Sequence, residues 1–355
     1  MLRFCDKKKI FVLSNTLGDT MYRTTTITLA AIFAAAVSGS AGAADLPVKA
    51  KPVKAVEAPY FLVNENSISY RYEFTATNPG AGKTPKHVGT FSHFDVWAYG
   101  TNFINIDLLK ATSTTTPSNG GGGNKFVCFG GFNLPTPCAG YTEIYGFFRS
   151  TLGWNELTHS KMFAYGPLKN ISWAYGADFN ADNTQLGSAK KSVQGGVQFD
   201  FAVPFNGNLS LSGFAYKEWQ HDGFAAGGAI NPSGGVEFNT TWGVGANYTQ
   251  PLGFLPVWLP LTYKAIVGLH GPKGFGENQA VAVGTRKTEL FTQQTLDLDT
   301  GKIFWSKPNM WSVWVGYRYW HNKFGINDTE IITVPLTGLN YATESTWLVG
   351  STWAW

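Results

Sequence analysis

Residues 344–355 read Glu-Ser-Thr-Trp-Leu-Val-Gly-Ser-Thr-Trp-Ala-Trp. In an extended chain Trp347, Val349, Ser351, Trp353 and Trp355 share one face, and Thr346, Leu348, Gly350, Thr352 and Ala354 share the other. A period of two is the mark of a strand. Three tryptophans on one exposed strand face would invite aggregation in water, so an apolar phase has to cover them. That phase is either protein core or lipid.

The composition points to lipid. The 355 residues are 15% aromatic and 14% charged, against roughly 25% charged in an ordinary soluble domain. A mean hydropathy close to zero excludes a bundle of apolar membrane helices. It suits a barrel in which lipid-facing and lumen-facing residues take turns. The net charge of +4 is too small and dispersed for a nucleic-acid binder.

The start of the chain reads as an export signal. Met21-Tyr22-Arg23 precedes a small, apolar run from Ile27 to Val37 and then Ala41-Gly42-Ala43, an A-x-A cleavage pattern. Residues 1–43 are therefore expected to be a signal peptide, with translation starting at Met1 or at Met21. Residues 44–66, with Lys49, Pro52, Lys54 and Pro59 and no periodicity, are expected to be a periplasmic tail. Residues 67–355 are expected to be the barrel. The most apolar later stretch, Leu252 to Leu269, is broken by Pro256 and Pro260 and carries Lys264, so it does not supply the ~18 residues of a spanning helix. Cys5 lies in the signal. Cys128 and Cys138 sit in a Gly-rich loop of an exported chain and are expected to form a local disulfide, with two free thiols as the alternative.

Alternation recurs along the chain. Ile68, Tyr70, Tyr72 and Phe74 interleave with Ser69, Arg71 and Glu73; Phe94, Val96 and Ala98 with Asp95, Trp97 and Tyr99. Val193, Val197, Phe199 and Phe201 oppose Gln194, Gln198 and Asp200, and Leu209, Leu211 and Ala215 oppose Ser210, Ser212, Tyr216 and Glu218. The polar faces carry Ser, Thr, Asn and Gln with isolated charges, as a wet lumen does. Short turns are expected at Gly100–Asn102, Pro204–Asn208 and Ser306–Asn309, and long loops at 77–90, 110–140, 181–191, 221–236, 271–287 and 323–340. The fold class is thus an all-β transmembrane antiparallel barrel of about twelve strands, in the outer membrane of a Gram-negative cell.

Motifs for chemistry are weak. Gly80-Ala81-Gly82-Lys83-Thr84 lacks the early glycine of a phosphate-binding loop, since position 77 is threonine. His159 and Ser160 are neighbours that point to opposite faces of a strand, which is wrong for a nucleophile and its base. No zinc spacing, cofactor fingerprint or paired-carboxylate motif stands out, and a non-enzymatic protein without cofactor is expected. What remains is a polar face set with rings. By alternation the expected lumen residues are Arg71, Glu73, Asp95, Trp97, Tyr99, Phe147, Arg149, Phe214, Tyr216, Glu218, Arg318 and Trp320. Rings in a polar channel can stack on flat solutes while charges bind their edges. The alternative is that they fill a narrow lumen or belong to interfacial girdles.

Several stretches resemble the Tsx family of nucleoside-specific outer-membrane channels. They are Leu209-Ser-Leu-Ser-Gly-Phe-Ala-Tyr-Lys-Glu-Trp-Gln-His-Asp-Gly223, the Gly166-Pro167-Leu168-Lys169 turn before Trp173-Ala174-Tyr175, and Tyr317-Arg318-Tyr319-Trp320-His321-Asn322 with Asn327-Asp328 beyond. The resemblance runs in order from about residue 68 to 355. It implies a monomeric twelve-stranded barrel that passes nucleosides and deoxynucleosides passively, with Trp97, Phe214, Tyr216, Arg318 and Trp320 at lumen positions. It also implies that Trp355 is an aromatic signal read by the barrel-assembly machinery. The loops 110–140 and 221–236, rich in glycine, depart from the family pattern.

Overall fold

The computed structural model describes residues 60–78, 82–111, 142–182, 189–221, 235–256, 258–274, 286–326 and 342–355. The expected signal peptide, most of the expected tail and the Cys128–Cys138 pair lie outside these residues. Thirteen strands are present among them: β1 (Phe61–Asn78), β2 (Gly82–Trp97), β3 (Gly100–Ala111), β4 (Thr142–Gly153), β5 (Leu168–Asp182), β6 (Lys191–Val203), β7 (Gly207–His221), β8 (Gly235–Glu237), β9 (Thr241–Pro251), β10 (Leu261–His270), β11 (Glu289–Asp299), β12 (Trp311–His321) and β13 (Glu344–Ala354). Every pairing is antiparallel. β13 pairs with β1, from Ser67 opposite Ala354 to Glu73 opposite Leu348, and β6 pairs with β7, so the sheet closes on itself. β8 pairs only with the upper end of β7 and is not a stave. The barrel has twelve staves, each paired with a neighbour on both sides, unlike an open sheet whose outer strands are bare.

Residues directly opposite each other in an antiparallel pair share a face, so the register assigns inside and outside. Trp347 is 63% exposed and its neighbour Leu348 is 1% exposed. The tryptophan face of the final strand therefore points outward, and Leu348 points into the barrel. Ile68, Leu108, Trp173, Val193, Leu211, Val244 and Val315 are also exposed, and together they form an apolar belt that lipid, not water, would cover. No helix among the described residues is long and apolar enough to cross a membrane.

One end of the barrel, the short-turn end, carries the Ala98-Tyr99 turn, the turn between β6 and β7 and two helical connections. Between β6 and β7, Phe205 and Asn206 have φ of 58° and 60°, the paired left-handed conformation of a two-residue hairpin turn. Helix α1 (Trp154–Leu157) follows β4, and α2 (Thr300–Trp305) follows β11. Asp299 caps α2 by accepting from the Lys302 amide at 2.8 Å, and it also accepts from the Asn309 amide at 2.8 Å.

Three expected boundaries shift. β1 begins at Phe61, inside the stretch expected to be tail, and residues 61–66 pair with β2. The stretch 77–90 is largely strand, because β2 begins at Gly82 and alternates buried Lys86, Val88 and Thr90 with exposed His87 and Gly89. Its polar composition belongs to strands that continue past the apolar belt. The first short turn is Ala98-Tyr99; Gly100–Asn102 opens β3, where Asn102 binds Asp95 across the pair at 2.9 Å.

Candidate functional site: the lumen

The inward positions of β1, β2, β3, β12 and β13 carry a charged cluster. Arg71 donates to Glu73 at 2.8 Å, to Asp107 at 2.7 Å and to Thr90 at 3.0 Å. Arg318 donates to the same Glu73 at 2.9 Å and through two nitrogens to Gln293 at 3.0 and 2.8 Å. Lys323 donates to Glu344 at 3.0 Å, and the Thr77 amide donates to that carboxylate at 2.8 Å. Across the lumen a second cluster spans β4 to β11. Arg149 and Tyr145 donate to Asp178 at 2.5 and 3.2 Å. Lys273 and Tyr216 donate to Glu218 at 2.7 and 2.5 Å. Trp320 donates its indole N–H to Glu289 at 2.8 Å. Glu218 and Glu344 are both 0% exposed. Carboxylates so buried are tolerated because each is paired with a cation and hydrogen-bonded on its remaining lone pairs.

Nearer the short turns the inward charges are fewer, among them Asp200 and the Lys264–Asp297 pair at 2.6 Å. On β10 the inward Lys264 side chain is 51% exposed and Ile266 is 45% exposed, although neither lies on the outer wall. Other inward residues of this half include Ser92, Asn105, Gln198, Ser210 and Thr295, joined by local bonds such as Ser92 to Asn105 at 2.8 Å and Ser210 to Asp200 at 2.6 Å.

Inward glycines decide how the rings lie. A Cβ at Gly243 would overlap the ring of Phe214, one at Gly350 would overlap the indole of Trp314, and one at Gly176 would press on Arg149. Large side chains thus rest against the wall over strand positions that have no side chain of their own. Phe214 presents a ring to the lumen, with Tyr216 and His270 beside it; the His270 ring centroid is 5.8 Å from that of Phe214 and 4.4 Å from that of Tyr216.

Of the expected lumen residues, the register brings Arg71, Glu73 and Arg318 into one cluster and Phe147, Arg149, Phe214, Tyr216 and Glu218 into the other, with Trp320 on Glu289 between them. Asp95, Trp97 and Tyr99 are not among them. Thr90 bonds the inward Asp107 at 2.6 Å, and β2 pairs with β3 without a bulge from Lys86 to Trp97, so its odd positions point outward. Asp95 and Trp97 lie on the outer wall and Tyr99 lies in the turn below. Asp95 is accommodated there by a polar ladder: it binds His93 at 3.2 Å and Asn102 at 2.9 Å, while Ser150 donates to Asn102 at 2.7 Å.

Lys86, Lys190, Lys273 and Lys323 are lumen residues that the sequence reading placed in loops. Glu289 and Glu344 stand at the first positions of their strands, where alternation has hardly begun. Asp107 and Asp178 were discoverable, since each occupies an inward position of a regular strand.

No family model matches the chain, and no curated protein matches it; the resemblance to the Tsx family rests on the residues quoted above. The fold is similar to solved barrels. An outer membrane channel of Pseudomonas putida F1 has a TM-score of 0.45 at 9% identity, covering 86% of this chain and all of its own. The translocator domain of the autotransporter NalP from Neisseria meningitidis has 0.34 at 13% identity, with 84% of this chain and 90% of its own covered. The outer membrane channel DcaP of Acinetobacter baumannii has 0.32 at 10% identity, with 82% and 96% covered.

Proposed function

We propose that this barrel resides in the outer membrane and is a channel for passive, facilitated diffusion of small solutes, with nucleosides and deoxynucleosides as the best-fitting class. The reading rests on one observation: Phe214 is held against the lumen wall by inward glycines, next to Tyr216 and a set of paired charges. A ring so placed offers a π-face to a flat base, and the Arg149 guanidinium on the same wall, its side chain 34% exposed, offers a donor for the solute's edges or sugar. Stations of this kind favour entry and still permit release, which is what conduction requires. The protein would act as a monomer, placed in its lipid surroundings by the barrel-assembly machinery.

A less selective channel for other small polar solutes is the second reading. The Ser, Asn, Gln and Thr lining of the half nearer the short turns, which carries fewer charges than the other half, favours it.

Single-channel conductance of the refolded protein in a planar bilayer, titrated with adenosine, uridine, glucose and arabinose, tests both. Saturable block by the nucleosides alone supports the first reading. Conductance indifferent to nucleosides removes it and leaves the second, and a barrel that never conducts removes both.

A further inference from the structure

Arg71, Arg149 and Arg318 stand at inward strand positions, and their guanidinium groups are engaged differently. Arg71 uses all three nitrogens, on Glu73, Thr90 and Asp107. Arg318 does the same with Gln293, Glu73 and Glu344. Each of these two side chains is 10% exposed. The Arg149 side chain is 34% exposed. Among the described residues it bonds through Nη1 alone, to Asp178 at 2.5 Å and to the carbonyls of Phe148 at 2.8 Å and Ala177 at 3.2 Å, so its Nε and Nη2 are left without a partner.

The wall sets this arrangement. Arg149 lies over Gly176, where a Cβ would come within 2.8 Å of its Cδ and 3.0 Å of its Nη1, so the side chain folds flat and aims Nη1 at the strand ladder. In a guanidinium group the Nε–H and one Nη2–H point the same way, on the edge away from Nη1. That edge is a rigid two-pronged donor that matches the two oxygens of a carboxylate. Asp178 does not occupy it: besides Nη1, that carboxylate has Tyr145 at 3.2 Å and the Lys190 ammonium at 3.7 Å.

Rings adjoin the free edge. The guanidinium carbon of Arg149 is 5.1 Å from the centre of the Phe147 ring. Phe103, directly opposite Arg149 on β3, has its ring centre 5.6 Å from that of Phe147. Phe94 shares the inward side of β2 with Thr90, lies directly opposite Phe103 and is 37% exposed. Apolar ring surface beside a charged fork is the composition of a site for a flat acid.

We propose that Arg149 anchors a lumen binding site for aromatic carboxylates, its Nε–Nη2 edge taking the carboxylate and Phe94, Phe103 and Phe147 the ring. The site goes beyond the nucleoside reading and shares with it only a lumen open to solutes. A carboxylate makes both bonds to the fork charge-assisted, which a neutral base cannot.

The test is a ligand-observed NMR titration of the refolded full-length barrel in detergent with benzoate, benzamide and acetate. Benzoate is expected to bind roughly ten-fold more tightly than benzamide, which sets N–H donors against one prong, and than acetate, which has no ring. Arg149→Lys keeps the charge and a reach to Asp178 but has no fork, and it should lose about the same factor for benzoate; Phe103→Ala should narrow the gap between benzoate and acetate. Benzamide or acetate bound as tightly as benzoate, or benzoate bound by Arg149→Lys as by the parent, would overturn the site. Should Arg149→Lys fail to refold, the comparison of benzoate with benzamide on the parent decides. Saturable nucleoside block without benzoate binding would leave the channel and remove this site, while benzoate bound by a barrel that never conducts would keep the site and remove the channel.

Discussion

Arg318 on β12 reaches past β13 to Glu73 on β1, with 2.9 Å between them, so one ion pair straddles the line where the barrel closes. Glu73 is shared with Arg71 at 2.8 Å. Replacing it with alanine leaves two guanidinium groups in the wall without their common acceptor. Removing one partner of a buried pair costs ~3–5 kcal/mol, and Glu73→Ala should lose about that much in urea unfolding followed by gel mobility. A loss below about 1 kcal/mol, typical of exposed pairs, would mean that the seam does not depend on this contact.

Phe214 is the residue to change for solute recognition. Phe214→Ala should weaken nucleoside block by roughly 5- to 150-fold, the equivalent of losing one base–ring stack at ~1–3 kcal/mol, while the barrel still folds. Block of unaltered strength in this variant would contradict a stacking role.

Gly243 tests the same ring from behind. A leucine there overlaps Phe214 and must push it toward the channel axis. Overpacking of this kind costs about 1–3 kcal/mol, which a closed barrel can absorb. Gly243→Leu is expected to refold with lowered single-channel conductance, and Gly243→Leu combined with Phe214→Ala to recover it. Undiminished conductance in the single variant would show that the ring has somewhere else to go.

Asp95 separates wall from lumen. On the outer face its hydrogen bonds to His93 and Asn102 contribute to stability, and Asp95→Ala should destabilise the barrel by ~1–3 kcal/mol by leaving those partners unsatisfied. Conductance and ion selectivity should stay as in the parent. A change in cation-over-anion permeability would place Asp95 in the channel after all.

Trp355 contributes its backbone as well as its ring. Its N–H donates to the Asn66 carbonyl at 2.9 Å and its carbonyl accepts from the Asn66 amide at 3.0 Å. Deleting it removes both bonds from the closing pair, and the fraction of refolded, heat-modifiable barrel should fall. Equal yields of folded material from the two chains would sink this expectation.

The architecture was legible because period two persists where one face meets an apolar phase and the other water. Trp347 beside Leu348, and Tyr70 beside Arg71, sort cleanly once the register is known. The lumen was only half legible. Alternation gives relative parity along a strand but does not say which parity is inside, and a strand that mixes both characters, such as Phe94-Asp95-Val96-Trp97, reverses the assignment. On β2 it is Thr90, bonded to Asp107, that sets the side. The lysines of the lumen escaped for another reason: Lys86, Lys190, Lys273 and Lys323 stand beyond the apolar belt, where outward residues are polar too and the periodic signal fades.

The pairing of β1 with β13 has a kinetic side. Ser67 and Ala354, partners across the seam, stand at opposite ends of the barrel sequence, so the contact that removes the last open edge is also among those with the longest loop to close. Until all the intervening staves have been laid down, both β1 and β13 show unpaired N–H and C=O groups beside exposed tryptophan, tyrosine and isoleucine. During that interval the chain is a template for its own copies, and a chaperone or membrane-bound assembly factor that occupies the β13 edge would shield it when it is most prone to aggregate.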